Sequence, residues 1–267
     1  GNRLVMSGMM ADGNNNSKSN SGEVMLIKFN DNDFTGGSLY GKVGFGYGST
    51  GGSSLDIDLD DDDRFGQGTA LDSDGNRMAI VAARVDGAGN NSSDSGAVFL
   101  FTFDDDSAFQ NPTHVGTIGH TYNSSSYDLS IGTLGSGDSF TALSLTDDGS
   151  RLAVGAMKDD GANGGHSNAG AVYLITFDQT TNSDGNPSTD FNNPTHVGTI
   201  GIDYAPTSTL TKSLDLGDNG LDILSNNDQF GNSLGLTADG KILAVSSTKD
   251  DGYNTTNDAN NLSLIHI

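Results

Sequence analysis

The chain has 267 residues, and its 35 acidic and 12 basic side chains give it a formal net charge of −23. This excess of negative charge argues against a nucleic-acid partner, because phosphate binding needs patches of lysine and arginine. The chain has no cysteine, which excludes disulfides and thiol chemistry, and no apolar run approaches the length of a membrane span. We therefore expect neither nucleic-acid binding nor membrane insertion.

The residue types favour strands and turns over helices. Of the 35 acidic residues only Glu23 is a glutamate, and there are 38 glycines. Aspartate competes with helical hydrogen bonding and is common in turns, whereas glutamate suits helices. No segment longer than about one turn carries apolar residues at helical spacing. The composition therefore predicts an all-β chain with long polar loops and almost no helix.

The chain begins with a sequence motif that recurs three times. Gly1-Asn-Arg-Leu-Val-Met returns, with similar residues, within 74–81, 148–155 and 239–246. An Asp-Gly pair follows at a fixed offset of eleven residues from these glycines, at Asp12, Asp86, Asp160 and Asp251. A Gly-Glu/Ala-Val run comes ten residues later, at Gly22, Gly96 and Gly170. Constant spacing indicates one structural unit used repeatedly.

The second and third copies show the strands most clearly. In the second, we predict strands at 65–71, 77–83, 96–103 and 113–118, with a further one near 128–131. The Asp-Gly pair between the first two strands is a strong hairpin signal, because glycine accepts the positive φ that such turns need. The third copy repeats this order at 140–145, 151–157, 170–177 and 195–200, with an added loop at 179–190.

These spacings divide the chain into four units of a single repeat domain, 1–261. The units are 1–62, 63–137, 138–227 and 228–261, and the first and last are incomplete. The tail 262–267 matches no other unit, and we interpret it as a foreign or truncated end. Four-stranded units of this length predict a β-propeller-type array of antiparallel blades, a partial propeller of about three blades. A row of separate small β-domains is the alternative, although no linker is visible.

Three of the motifs resemble FG-GAP repeats, the blades of integrin-alpha-like β-propellers. They are Phe65-Gly66, Leu152-Ala-Val-Gly-Ala156 and Gly170-Ala-Val-Tyr-Leu174. The Asp-Asp-Gly loops and the His-Val-Gly-Thr-Ile-Gly strands are similar to the variant found in bacterial surface proteins. The resemblance implies an extracellular or cell-surface protein, and it covers most of the chain.

Calcium is the one cofactor that the sequence leaves open. The FG-GAP resemblance implies a Ca²⁺ loop around the Asp-Gly turn, but Arg3, Arg77, Arg151 and Lys241 follow that turn, and a cation there repels Ca²⁺. We therefore expect a hairpin turn. Asp86, Asp160 and Asp251 are weak candidate metal ligands in the longer loops. They could equally bond their own loop backbone, which is the role we favour.

No catalytic constellation is visible in the sequence. His114 and His196 share one repeat position and are expected to be strand residues, and no serine lies in a Gly-x-Ser-x-Gly elbow between a strand and a helix. We therefore predict no catalytic residue and a non-enzymatic domain for adhesion, binding a protein or glycan ligand through loops on the propeller scaffold. The alternatives are a propeller hydrolase acting on carbohydrate or phosphodiester, and a structural spacer.

Overall fold

The chain folds into four β-sheets. The computed structural model describes residues 2–48, 52–104, 109–179, 190–217 and 223–250, together with the backbone of 264–266. Within these ranges the one helical element is a single 3₁₀ turn, η1 (Asn14–Asn16). No helix in the same ranges has the length and apolar character needed to cross a membrane.

Each sheet is a meander whose strands follow one another along the chain. The first contains β1 (Arg3–Gly8), β2 (Glu23–Lys28), β3 (Ser38–Gly44) and β4 (Leu55–Asp56). The second contains β5 (Phe65–Leu71), β6 (Arg77–Ala82), β7 (Ala97–Thr102), β8 (Thr113–Gly119) and β9 (Leu129–Ser130). The third contains β10 (Phe140–Leu145), β11 (Arg151–Ala156), β12 (Ala171–Thr176), β13 (Thr195–Gly201) and β14 (Leu214–Asp215). The fourth contains β15 (Phe230–Leu236), β16 (Leu243–Ser247) and β17 (Leu264–His266).

Neighbouring strands pair antiparallel, except for a short last strand in each of the first three sheets. In the first three sheets this strand, β4, β9 or β14, pairs in parallel with the strand before it. The prediction of an all-β, propeller-type array of antiparallel blades is confirmed. Residues 264–266 of the tail form β17, which pairs antiparallel with β16 as the third strand of the last sheet.

The sheets stack side by side around their opening strands. β5 packs against β10, β10 packs against β15, and β1 packs against β5. The first sheet begins at the second strand of the unit, since its Arg3 corresponds to Arg77 at the start of β6. An apolar core lies between each pair of neighbouring sheets, built from the alternate residues of the facing strands.

A glycine at each interface brings the backbones of neighbouring sheets into direct contact. Gly22, Gly96 and Gly170 precede the third strand of their units, at φ of +91°, +83° and +90°. A Cβ on these glycines would lie 2.0 Å from the Phe65 oxygen, 2.5 Å from the Phe140 nitrogen and 2.1 Å from the Phe230 oxygen, respectively. Only glycine allows both this conformation and this approach. The repeated Gly-Glu/Ala-Val run is therefore a requirement of sheet packing.

An arginine joins neighbouring sheets at their opposite ends. Arg77 Nη1 donates to the Asp148 carbonyl at 2.6 Å, in the Asp-Gly turn of the next unit. Arg3 Nη1 donates in the same way to the Gly75 carbonyl at 2.8 Å. The turns are hairpins, in which Gly149 N donates to the Thr146 carbonyl at 2.9 Å. The guanidinium therefore lies where the FG-GAP resemblance implied a cation, and it serves the packing of the units.

Replacing Gly170 should destabilise the fold. We expect Gly170→Ala to lower the free energy of unfolding by on the order of 3 kcal/mol, because the added Cβ meets the Phe230 backbone at a strained φ. Urea unfolding followed by circular dichroism measures this change. Gly165→Ala is the matched control, since nothing lies within 4 Å of a Cβ at this position; it should change stability by less than about 0.5 kcal/mol. Equal effects of the two substitutions would contradict the packing role.

The two arginines at equivalent positions should contribute differently. Arg77 is 3% exposed, whereas Arg151 is exposed. We expect Arg77→Met to cost about 2 kcal/mol, because it leaves the Asp148 carbonyl without this donor at a buried interface. Arg151→Met should cost less than about 1 kcal/mol, since water can reach its acceptors. Thermal melting of both variants checks the order, and a larger loss for Arg151→Met would refute it.

Candidate functional site

A pocket of about 400 Å³ opens on the second unit. It lies between the segment that enters β5, the loop after β6, and strands β7 and β8 with the loop that follows them. Four carboxyl side chains contribute to its lining, Asp58, Asp60, Asp63 and Asp86. The rest of its wall includes Val85, Asn90, Phe99, His114, Thr117, Tyr122 and Ser124. The pocket therefore combines acidic groups with an aromatic side.

Asp63 is the buried acid of this pocket, at 9% exposure. Its Oδ2 accepts a hydrogen bond from the Asp60 backbone N–H at 2.7 Å. Burial raises the pKa of Asp63 to about 6, and the nearby negative charges of Asp60 and Asp86 add to this rise. Asp63 therefore holds its proton over a pH range in which an ordinary aspartate has lost it.

The neighbouring carboxylates differ from Asp63 in their partners. Asp60 is exposed, and its carboxylate accepts hydrogen bonds from Lys18 Nζ at 3.0 Å and Asn90 Nδ2 at 3.2 Å. These bonds, that from Lys18 first, lower the pKa of Asp60. Asp86 is partly buried, and its Oδ1 accepts the Asp94 backbone N–H at 2.8 Å. The site thus places a carboxylic acid of raised pKa close to carboxylate groups.

His114 and Tyr122 line the opposite side of the pocket. The His114 ring packs against Phe99 and Phe101, with centroid separations of 5.3 and 5.4 Å. Its Nε2 lies 3.0 Å from the Gly116 carbonyl, which can only accept, so Nε2 carries the proton. Although His114 is exposed, its neighbours remove enough water from the ring to lower its pKa. Burial, helped by the charges of Asp63 and Asp128, raises the pKa of Tyr122 to about 12. Tyr122 is therefore a neutral phenol at pH 7.

The third unit carries different residues at the same positions. Asp159 stands where the second unit has Val85, and Tyr173 where it has Phe99. The hydroxyls of Tyr173 and Tyr204 both donate to Asp159 Oδ2, at 2.6 and 2.9 Å. Asp159 and Tyr173 are fully buried. In the second unit Val85 and Phe99 have no polar atoms for such a network, which leaves the space between Asp63 and Tyr122 open.

The first unit has a third arrangement at this end of the sheet. Glu23 accepts hydrogen bonds from Lys42 Nζ at 2.9 and 3.0 Å, and from the Tyr47 hydroxyl. Tyr47 occupies the repeat position of Tyr122 and Tyr204. Glu23 is as buried as Asp63, at 9% exposure, but its carboxylate forms an ion pair with Lys42.

The predicted metal ligands close their own loops. Asp86 Oδ1 accepts the Asp94 N–H at 2.8 Å, and Asp160 Oδ1 accepts the Asn168 N–H at 2.7 Å. Both bonds span eight residues, as does the bond from Asn20 N to Asp12 Oδ1. Asp251 lies outside the described residues. Across the described part of the chain, no group of three or more His, Asp or Glu side chains is placed to hold a metal ion.

Sequence reasoning missed Asp63, although a repeat signal marked it. An Asp-x-Phe run opens the last three units, at Asp63, Asp138 and Asp228. All three aspartates are buried. Their position two residues before the buried phenylalanine of the opening strand would have singled them out. His114 and His196 lie in β8 and β13 as expected, and His114 also reaches the pocket.

The known proteins that match this chain are solved structures. No protein-family model and no curated protein matches the sequence. The solved structures found include a protein named as a 6-phosphogluconolactonase from Bacteroides uniformis, 11% identical, at a TM-score of 0.41 over 100% of this chain and 55% of that one. The periplasmic gluconolactonase of Pseudomonas aeruginosa is 14% identical, at 0.38 over 92% and 47%. A protein of Bacteroides fragilis, also named as a 6-phosphogluconolactonase, is 11% identical, at 0.36 over 98% and 66%. The chain thus spans about half to two thirds of the length of these structures.

These findings correct three predictions from the sequence. The structures found are named as lactonases and not as integrin-like proteins, so the resemblance to FG-GAP repeats is wrong. The predicted role in adhesion, and the prediction of a non-enzymatic domain that rested on the lack of a visible catalytic constellation, are contradicted by the same findings. The motifs behind the error, Gly-Ala-Val above all, are requirements of sheet packing.

The buried acids should make the protein lose stability as the pH rises. Burial, with the charge of Asp159, raises the pKa of Asp138 to about 7, against about 3.9 in the unfolded chain. The folded state therefore binds the proton more tightly. The stability that protonated Asp138 contributes is complete below about pH 4 and is lost as the pH rises through about 7.

Asp138→Asn tests this effect, because the amide stays neutral and can still accept the Gly135 N–H that Asp138 accepts. At pH 8 we expect the variant to be more stable than the parent by on the order of 2 kcal/mol, and the difference should disappear near pH 4. Urea unfolding at a series of pH values measures the change. A constant difference across that series would show that Asp138 does not titrate in this way.

Proposed function

We propose that the chain is a hydrolase that cleaves a carbohydrate in the pocket of the second unit. One observation carries this proposal: the buried Asp63, with a pKa of about 6, lies beside the carboxylate of Asp86 in an open pocket. A protonated carboxyl group and a second carboxyl group in one pocket can supply the acid and the base of glycoside hydrolysis. The equivalent region of the third unit is occupied by the tyrosine hydroxyls that converge on Asp159.

In glycoside hydrolysis each carboxyl group of the pocket would have a separate role. Asp63 gives its proton to the leaving oxygen as the bond from that oxygen to the anomeric carbon breaks. Asp86 accepts a proton from the water that attacks the same carbon. Asp60 is not given this role, because its carboxylate already accepts hydrogen bonds from Lys18 and Asn90. The reaction consumes one water and needs no other reactant.

The lining favours an uncharged sugar. Four carboxyl groups repel a phosphodiester, whereas Asn90 and Ser124 can hydrogen-bond sugar hydroxyls. Phe99 and Tyr122 provide apolar surface against which a pyranose ring can pack. We place this activity outside the cytoplasm, with a glycan as the partner, since an Asp-rich, highly charged surface keeps a protein soluble in saline surroundings.

Hydrolysis of a panel of uncharged chromogenic glycosides by the intact chain tests the function. We expect Asp63→Asn to reduce kcat/KM by about 100- to 10,000-fold, because the amide cannot donate the proton. The parent activity should fall as the pH rises above about 6, where Asp63 loses its proton.

Asp138→Asn is the matched control, since Asp138 holds the same repeat position in the third unit and lies outside the pocket lining. Its kcat/KM should equal that of the parent. A parent chain inactive on the whole panel, or an Asp63→Asn variant with full activity, would refute the proposal.

A further inference from the structure

Lys18 of the first unit reaches the wall of the pocket in the second unit. It stands on the loop between β1 and β2, and its Nζ lies 3.0 Å from Asp60 Oδ1. The same ammonium lies over the Phe45 ring, 5.3 Å from the ring centroid. Asp60 Oδ2 accepts a hydrogen bond from Asn90 Nδ2 at 3.2 Å. We call this chain of contacts, from Lys18 through Asp60 to Asn90, the Asp60 bridge.

The Asp60 bridge joins the two segments that carry the proposed acid and base. Asp60 stands three residues before Asp63, and its backbone N–H donates to the Asp63 carboxyl group at 2.7 Å. Asn90 stands on the loop after β6, four residues beyond Asp86. The bridge therefore ties the segment of the acid to the loop of the base, and it is anchored on the neighbouring unit by Lys18.

The packing of the units does not require the ion pair of this bridge. One backbone hydrogen bond between the same loop and the next unit repeats at all three interfaces, each time at 2.8 Å. The N–H groups of Asp62, Gly137 and Asn227 donate to the carbonyls of Ser19, Ser93 and Ser167, respectively. The carboxylate of Asp60 is exposed, and an ion pair on such a group contributes little to stability. The fold alone thus does not account for the pairing of Lys18 with Asp60.

The two charged residues of the bridge occur together at the interface beside the pocket. The aspartate position is recognised by its backbone N–H, which donates to the buried aspartate three residues later in each of the last three units. The other two interfaces have Ser92 and His166 at the lysine position, and Gly135 and Ser225 at the aspartate position. Neither of these interfaces therefore offers a carboxylate at this place for a cation to bind.

We propose that Lys18 is a positioning residue of the pocket, which holds the Asp60 carboxylate against Asn90 and thereby keeps the acid segment next to the loop of the base. The inference rests on the proposed hydrolysis for its effect on rate. Lys18 also opposes the charge of Asp60. Beyond burial, which is the largest cause, the charge of Asp60 raises the pKa of Asp63 and that of Lys18 lowers it. Without the lysine, Asp63 should hold its proton to a higher pH.

Lys18 is the cation whose removal should change the titration of Asp63. Arg84 donates its backbone N–H to the Asp63 carbonyl at 3.1 Å, but its guanidinium lies 3.9 Å from the Asp94 carboxylate. The other charged or titratable groups around Asp63 come from four segments. They are Asp58 and Asp60 on its own segment, Lys18 on the first unit, Asp86 on the loop after β6, and His114 and Tyr122 on and after β8.

¹³C NMR of the aspartate carboxyl carbons measures this titration without any substrate. The signal of Asp63 is assigned from its loss in Asp63→Asn. At low salt we expect Lys18→Met to raise the pH at which Asp63 titrates by roughly 0.5, because the charge of Asp60 is no longer opposed. The increase should shrink in about 1 M NaCl, which screens both charges. In Lys18→Arg, which keeps the positive charge, Asp63 should titrate as in the parent.

Lys28→Met is the matched control, since it removes the same charge from the same unit. Lys28 lies over the Tyr40 ring, 5.7 Å from its centroid, and outside the pocket lining. The titration of Asp63 should be the same in this variant as in the parent. Circular dichroism melting confirms that each variant is folded.

Kinetics on a glycoside that the parent hydrolyses tests the positioning itself. Lys18→Met and Asp60→Ala should each lower kcat/KM about 10-fold, because the acid segment and the loop of the base lose their connection. Both substitutions break one bridge, so in the Asp60→Ala background the loss of Lys18 should change kcat/KM by less than about twofold. Independent, multiplying losses would contradict the bridge.

The two measurements separate this inference from the proposed hydrolysis. An Asp63 titration that is unchanged in Lys18→Met, or shifted equally in Lys18→Met and Lys28→Met, would overturn the positioning role whether or not the chain is an enzyme. If the parent hydrolyses no glycoside while Lys18→Met shifts the titration as expected, the hydrolysis fails and the hold of Lys18 on Asp60 stands.

Discussion

The approach of one backbone to another at Gly22, Gly96 and Gly170 sets the distance between neighbouring sheets. At 2.0 to 2.5 Å between a hypothetical Cβ and the next backbone, no other residue type fits. This contact brings the phenylalanine of the next opening strand into the shared core, where Phe65, Phe140 and Phe230 are all fully buried. Arginine hydrogen bonds join neighbouring sheets at the other end.

The repeated sheet has three different sets of polar side chains at the same end in the first, second and third units. The first unit holds an ion pair between Glu23 and Lys42, and the third a buried carboxyl bonded to two tyrosines. Among its described residues, the second unit has neither network. Its apolar residues, Val85 and Phe99, cannot satisfy Asp63, which keeps one backbone hydrogen bond and a raised pKa. The raised pKa does not depend on the missing network, because Asp138 at the same repeat position of the third unit has a pKa of about 7. What distinguishes the second unit is the open pocket beside its buried acid.

The sequence predicted the fold far better than the site. Strand positions followed from fixed spacings, and the hairpins from Asp-Gly, because both are local properties of the chain. The pocket depends on which side chains meet across loops some 20 to 60 residues apart, and Val85 and Phe99 look like ordinary core residues in the sequence. The FG-GAP resemblance failed for a related reason: it used residues that any close packing of such sheets requires. The Asp-x-Phe repeat was the overlooked signal that a local pattern could have provided.

The eight-residue carboxylate bonds at Asp12, Asp86 and Asp160 have a consequence for how such arrays diverge. Each loop is fastened at its own base, so the residues between the fastening points can change without disturbing the strands on either side. Mutation can then sample new surface chemistry in one unit while its neighbours keep theirs. After duplication of a unit, mutations in these loop residues can therefore change the surface of one unit while the strands stay the same.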